Sequence, residues 1–425
     1  MDLQLDDHAA SQQAGEDGLS RDLPLAGRVI LQVLPALEEG GVERGAVEMT
    51  EAIARAGGQA IVASAGGRMV PSIERAGGTH VVIPLLTKDP LNILLNARRL
   101  RRLVVREQVD LVHARSRAPA WSALIAARRA RVPFLTTWHG VYAENLPGKR
   151  LYNAVMAKGD RVIAISDFVG RRVAADYGVG PDRLRVIHRG ADPAIFDPGR
   201  VNGDRLHNLA HAWRIPENTR IVLLPGRVTT WKGQALLVEA LARLERRDAV
   251  AVFTGSAGPG LRALLAQAKA AGVAERTRFV GHCADMAAAY ALADLVVAPS
   301  LKPEPFGRVV VEAQAMERLV IVADHGGAVE TVEHGVSGWR IPPGDVEALA
   351  HAIDTGLSLS SEQRAIFGAN ARAGVLERFS KARMQAATIA VYGELLGIPA
   401  LIMRDGASML SDRFAQANGL ANPVA

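Results

Sequence analysis

Leu295-Val296-Val297-Ala298-Pro299-Ser300-Leu301-Lys302-Pro303-Glu304-Pro305-Phe306-Gly307-Arg308-Val309-Val310-Val311-Glu312 reads as a strand, a turn-rich loop and the start of a helix. The apolar run Leu295–Ala298 fits a strand covered on both faces, as in a parallel sheet. Pro305 and Gly307 exclude helix at Glu304, so helix is expected to begin just after Gly307. Glu312 then sits about one turn inside it, and the helical rise puts the two carboxylates roughly 10 Å apart. A glycosidase pair could span that distance, but these two lie along one loop and helix rather than across a cleft. They are better suited to accept hydrogen bonds from two sets of hydroxyls, with the backbone N–H groups between them facing phosphate. The competing reading is a helix N-terminus that merely favours acidic residues.

The same rhythm extends in both directions. Strand candidates in the first half are Val29–Leu34, Ala60–Ala63, Leu111–His113, Phe134–Thr137 and Val162–Ile165. In the second half they are Ile221–Leu224, Val250–Thr254, Arg278–Val280, Leu295–Ala298 and Val320–Ala323. Helical periodicity falls between them, as in Val42, Ala46, Met49 and Ile53, and again in Leu237, Leu241 and Leu244. Strands alternating with helices predict an α/β chain of two doubly wound parallel-sheet domains facing across a cleft, with ligand at the carboxyl ends of the strands. The rhythm pauses in a polar, Gly- and Pro-containing stretch between Asp197 and Asn218, which sets the expected division. Residues 1–26 are a disordered tail, 27–204 the first domain and 205–381 the second. Residues 382–397 form a helix crossing back to the first domain, and 398–425 a loosely ordered tail.

Bulk properties narrow the function class. The chain has 425 residues, a net charge of +6 and one cysteine, Cys283, so no intrachain disulfide is available. The start is acidic, unlike a secretory signal, and no apolar run is long enough to span a bilayer, which places the protein in the cytoplasm. Charge is uneven: residues 88–150 hold 13 Lys or Arg against 4 Asp or Glu, a local +9. That segment could meet an anionic membrane, nucleic acid or a phosphorylated substrate, or be a solvated helical face. Its interleaved aromatics are few, Trp121, Phe134 and Trp138, so stacking platforms for nucleic acid are scarce and no nucleic-acid partner is expected.

Three further loops follow predicted strands. Gly226-Arg227-Val228-Thr229-Thr230-Trp231-Lys232-Gly233 sets two cations five residues apart at a sheet mouth, where they could clamp a diphosphate or be an ordinary basic loop. Gly40 and Gly41, in Glu38-Glu39-Gly40-Gly41-Val42-Glu43-Arg44-Gly45, precede a helix that could receive phosphate, though a tight turn explains them equally well. Neither they nor Gly255-Ser256-Ala257-Gly258-Pro259-Gly260 has the G-x-G-x-x-G spacing of a dinucleotide-dependent redox enzyme. His139, in Trp138-His139-Gly140, ends a strand and could face a cleft, although a lone His is more often structural. There is no D-x-D, Walker loop, H-E-x-x-H or paired C-x-x-C, so no metal or other cofactor is expected. Charge neutralisation then falls to Arg227, Lys232 and helix dipoles.

Taken in order and register, these segments resemble glycosyltransferase family 4, retaining enzymes of the GT-B fold, over roughly residues 28–397. The most specific part is E-x7-E, Glu304 to Glu312, within Lys302-Pro303-Glu304-Pro305-Phe306-Gly307. Supporting segments are Val186-Ile187-His188-Arg189-Gly190-Ala191-Asp192, Phe279-Val280-Gly281-His282, Ala293–Ser300 and Gly326-Gly327-Ala328-Val329-Glu330. The resemblance implies that Arg227 and Lys232 hold a donor diphosphate and that Gly41, beside Gly40, meets its distal phosphate. It implies that Glu304 binds donor-sugar hydroxyls, with Phe306 and Gly307 offering backbone amides, and that Glu312 holds the ribose. His139 would lie near the transferred sugar and the base near His282 and Cys283. Two departures stand out. His188-Arg189-Gly190 replaces a common Pro-Asn-Gly, and Arg308 replaces a common aliphatic residue. Both arginines are expected near the donor site, as selectors of donor or acceptor phosphate.

The implied reaction is retaining transfer of a hexose from a nucleotide-diphosphate sugar to a glycan or glycolipid, in cell-envelope or lipopolysaccharide synthesis. A peripheral contact of residues 88–150 with anionic membrane would accompany it. Competing readings are a nucleotide-sugar epimerase or hydrolase of the same fold, and a basic nucleic-acid-binding or scaffold protein.

Overall fold

The computed structural model describes residues 23–142 and 147–398. These pack as two compact units. The first holds the described residues up to Ile165, Val169–Ile187 and residues 385–398; the second holds Ser166–Phe168 and His188–Met384.

In the first unit seven strands form one sheet. They are β1 (Val29–Val33), β2 (Gln59–Ser64), β3 (Gly78–Val82), β4 (Leu111–Ala114), β5 (Phe134–Trp138), β6 (Arg161–Ala164) and β7 (Leu184–Val186), in the order β3-β2-β1-β4-β5-β6-β7. The second unit has β8 (Arg220–Pro225), β9 (Ala249–Thr254), β10 (Thr277–Gly281), β11 (Leu295–Ala298), β12 (Leu319–Ala323) and β13 (Trp339–Ile341), ordered β10-β9-β8-β11-β12-β13. All pairings are parallel; Leu295, for example, stands opposite Val222 on one side and Leu319 on the other. Each sheet reverses direction beside its first strand, between β1 and β4 and between β8 and β11. In sheets of this topology the loops diverge at that point, at the carboxyl ends of the strands, which is where ligands usually bind.

Helices cover the strands for the reason their spacing suggests. Leu237, Leu241 and Leu244 pack with Val222, Leu224 and Phe253 in the core of the second unit. In the helix Gly41–Arg55, Ala46, Met49 and Ile53 are buried, and Val42 packs on a cluster of Leu34, Leu37 and Val62. No described helix is long and apolar enough to cross a membrane.

The division differs from the expected one. The chain joins the second unit at His188, not at 205. The polar stretch after Asp197 is a helix, Gly203–Ala212, none of whose residues is fully buried, which is why it resembles a linker. It is held by Arg205, which pairs bidentately with Asp285 at 2.9 and 2.7 Å. Residues 23–26, expected in the disordered tail, form a turn in which Leu25 is buried and donates its N–H to Ala56 O at 2.8 Å. The rest of both expected tails lies outside the described residues, apart from Ile398, whose N–H reaches Gly393 O at 3.0 Å. The last helix, Lys381–Leu396, starts in the second unit and belongs to the first from Gln385. There Gln385 donates to Glu48 O, Tyr392 Oη is 2.9 Å from His113 Nδ1, and Glu394 pairs with Arg161 and Arg185. Burial opposes charge on Glu394, but the two arginines outweigh it and hold the carboxyl below the usual range.

Candidate functional site

Lys232 and Glu304 come together at the switch point of the second sheet. Lys232 ends the loop after β8, and Glu304 lies in the loop after β11. The loops are laced by Leu301 N–H donating to Trp231 O at 2.7 Å. Lys232 Nζ is 2.6 Å from Glu304 Oε1, and Ser300 Oγ donates to the same oxygen at 2.6 Å. The Glu304 side chain is 9% exposed and the Lys232 side chain 22%, so this ion pair is largely removed from water. Lys232 Nζ also lies 4.7 Å from the Trp231 ring centre, a cation–π distance.

Behind Glu304 the backbone is pinned. Gly327 N–H donates to Glu304 O at 2.7 Å. A Cβ on Gly327 would lie 2.5 Å from Pro305 O and 2.7 Å from Phe306 Cα, so only glycine permits this approach. Gly307, with φ +91°, turns the chain into the helix Arg308–Ala315, which starts where the sequence places it. Phe306 is buried beneath this turn.

Glu312, one turn in, is buried and engaged at both oxygens. Tyr290 Oη donates to Oε2 at 3.0 Å and Arg308 Nε to Oε1 at 3.2 Å. Arg308 therefore has a partner one helical turn away and acts on the carboxylate that the resemblance assigns to ribose. Arg189, expected near the donor site, is buried, with Nη1 3.5 Å from Met384 Sδ.

Arg227 is exposed in the loop after β8, and its carbonyl accepts from Gln234 Nε2 at 2.9 Å. His282 and Cys283 follow β10. The loops after β8, β9 and β10 are tied by Gly226 N–H to Thr254 O at 2.8 Å and Gly255 N–H to Gly281 O at 2.6 Å. Cys283 Sγ lies 3.3 Å from Asp285 O, and burial pushes its thiol up from the ordinary value. Gly40, Gly41 and His139 belong to the first unit, at the carboxyl ends of β1 and β5. Gly40, φ +140°, precedes the helix Gly41–Arg55, and the half-buried His139 follows Trp138, whose ring stacks on Tyr142.

Sequence reasoning missed Ser300, Tyr290 and a cluster at His188. Ser300 lies in the same loop, four residues before Glu304, but Tyr290 meets Glu312 only through packing of separate helices. His188 Nε2 is 3.0 Å from Glu330 Oε2 and 3.5 Å from Asp167 Oδ2. Burial alone would lower its pKa; hydrogen bonds and charge from Asp167 and Glu330 outweigh that and raise it to about 9. These three groups are close enough to hold a metal ion. However, both Glu330 oxygens accept backbone N–H groups, from Asp167 at 2.9 Å and Phe168 at 2.6 Å. A proton on His188 satisfies the cluster without a metal. The ring packs against Phe306 and Phe379, and Ser166 Oγ donates to Pro305 O at 2.5 Å, so the cluster abuts the Glu304 loop.

Known proteins resemble this chain in sequence and in fold. Residues 39–195 match the family model of Glycosyltransferase Family 4, and residues 208–374 that of Glycosyl transferases group 1. The chain is 30% identical over 332 residues to D-inositol 3-phosphate glycosyltransferase of Mycobacterium tuberculosis, spanning 72% of this chain and 66% of that one. Against the enzyme of the same name from Saccharomonospora viridis it is 32% identical over 254 residues, 57% of either chain. It thus spans less than two thirds of the length of these relatives. Among solved structures, a glycosyltransferase from Rickettsia africae superposes with a TM-score of 0.80 at 35% identity, covering 87% of this chain and 98% of that one. HepE from Anabaena, in complex with UDP and glucose, gives 0.77 at 26% identity, covering 86% and 100%. With its two parallel-sheet units and the Glu304-to-Glu312 loop and helix, the chain belongs to glycosyltransferase family 4 and has the GT-B fold.

Proposed function

We propose that the protein is a retaining glycosyltransferase that moves a hexose from a nucleotide-diphosphate sugar to a glycan or glycolipid acceptor of the cell envelope. The observation that carries this reading is the Lys232–Glu304–Ser300 cluster at the β8/β11 switch point. The complex of HepE with UDP-glucose, at 26% identity, supports a nucleotide-sugar donor.

In this reading Glu304 accepts hydrogen bonds from donor-sugar hydroxyls. Ser300 and Lys232 fix its carboxylate in one orientation, which is the pre-organisation that lets a polar site act without rearranging. Breaking the anomeric C–O bond moves negative charge onto the departing diphosphate. Lys232 and the exposed Arg227 stabilise that charge more in the transition state than in the ground state. Backbone N–H groups at Phe306 and Gly307 and the start of the helix Arg308–Ala315 add further donors. The acceptor attacks on the face from which the diphosphate leaves, so configuration is retained, and a departing phosphate oxygen takes the acceptor proton. No separate carboxylate base and no metal is required. Glu312, oriented by Tyr290 and Arg308, holds the ribose; His282 and Cys283 flank the base. The resemblance assigns the distal phosphate to Gly40 and Gly41 and the sugar to His139.

A thermal-shift panel of UDP-, GDP- and ADP-sugars tests the donor. A ligand of the native state raises the melting temperature by mass action. One base is expected to stand out, with a shift unchanged by a chelator. A flat panel refutes the donor site, and a chelator-sensitive shift refutes metal independence.

A further inference from the structure

The first unit carries an unusual outer face. The helix Pro90–Arg106 packs against Arg117–Ala130 and buries Ala97, Leu100, Leu103 and Val104. At about 100° per residue, Leu91, Leu94, Arg98, Arg101, Arg102 and Val105 fall on the opposite side, within one arc of about 100°. All six are exposed, with Leu91 at 65%, Leu94 at 46% and Val105 at 62%. An ordinary solvent-facing helix side has mixed charges and few large aliphatics. This one has three aliphatics and three arginines, and the helix contains no Asp or Glu. Its first turn is fixed by Asp89, whose carboxylate accepts Asn92 N–H at 2.8 Å. Leu86, in the loop before it, is exposed as well.

Three other cations of the basic segment are engaged away from this face. Arg115 is buried and bonds Gln32 Oε1 at 2.9 Å, Arg117 lies over the Tyr142 ring at 3.8 Å, and Arg128 pairs with Asp160 at 2.7 Å. Five of the 13 cations of residues 88–150 lie on this one helix.

We propose that the outer face of the helix Pro90–Arg106 docks on an anionic bilayer surface. Leu91, Leu94 and Val105 enter the boundary between headgroups and acyl chains, and Arg98, Arg101 and Arg102 meet lipid phosphates. Aliphatics and cations on one face satisfy both halves of such a surface, and two weak signals together give stable but reversible attachment. A nucleic-acid backbone would use only the cations and leave the three aliphatics in water. The purpose of the docking, access to a lipid-borne acceptor, rests on the proposed function; the docking itself is read separately.

Flotation of the purified chain with vesicles of phosphatidylcholine, with and without phosphatidylglycerol, tests this. Binding is expected only to the phosphatidylglycerol vesicles and is weakened by salt. The variant R98E/R101E/R102E is expected to bind at least about tenfold more weakly. L91S/L94S should also weaken binding while keeping its salt dependence. Both variants should retain the wild-type melting temperature and any sugar-nucleotide shift, since neither touches a donor-site residue. Equal partition to neutral vesicles, no flotation of the wild type, or an unaffected charge-reversal variant would overturn the proposal. So would tight oligonucleotide binding without vesicle binding. A flat donor panel with intact flotation would instead count against the donor site alone.

Discussion

Lys232 answers two demands. It neutralises a carboxylate that is mostly out of water, and it is assigned the charge of a leaving diphosphate. Removing it therefore has two effects that can be separated. Lys232→Ala should lower kcat by about 10²–10³, the usual loss for one oxyanion-stabilising donor. It should also lower the melting temperature, because the Glu304 carboxylate loses its ion-pair partner in a poorly hydrated site and keeps the Ser300 hydroxyl as a donor. The double variant Lys232→Ala/Glu304→Gln should regain the melting temperature but not turnover. If the double variant recovers activity, Lys232 is only a counter-ion. His188 gives a prediction of a different kind. Its folded pKa is raised from 6.5 to about 9, so its contribution is complete below about 6.5 and is lost as pH rises through about 9. By linkage this is on the order of 3 kcal/mol. The melting temperature of the wild type should fall across that window, and that of His188→Gln should start lower and fall less. Parallel curves for the two proteins would show that His188 does not set this slope.

At the scale of elements, most of each sheet was legible and the misses share a cause. Ten strands stand close to where apolar runs placed them. The three unread ones, β3, β7 and β13, are all edge strands. An edge strand is covered less completely, so it can be short and polar: β7 is Leu-Arg-Val and β13 Trp-Arg-Ile. The helix after Gly307 was legible because glycine and proline act through local backbone geometry. The partners of Glu304 and Glu312 were not. Ser300 is a common loop residue, and Tyr290 is brought to Glu312 by tertiary packing that local pattern does not encode. Arg308 stood out in the sequence, but its ion pair needed the helix phase, and Arg189 looked similar yet is buried elsewhere. Glycine at 327 offers a test at this scale. Gly327→Ala pushes a methyl into Pro305 and Phe306, so the Glu304 loop must shift. A loss of about 1–3 kcal/mol in stability is expected, together with a larger fractional loss in kcat/KM than in the amount of folded protein. Normal kcat/KM in a folded variant would show that the loop tolerates displacement.

The two units share one strand order but not one chain organisation. Apart from Ser166–Phe168, the second unit is a single continuous stretch, His188–Met384. The first is split, its last helix following the second unit in sequence. That helix is more than an appendage: it supplies Tyr392 to the buried His113, a side chain to Glu48 O, and a carboxylate to two arginines. This has a consequence in time. At roughly 5–20 residues per second of synthesis, about 10–40 s separate Ile187 from Gln385 on the ribosome. Through that interval the earlier-made sheet waits without its closing helix, with His113 and Glu48 lacking those partners, while the later-made unit reaches completion. Birth order and order of completion are therefore inverted, and the nascent first unit is the stage at which a chaperone has the most to protect.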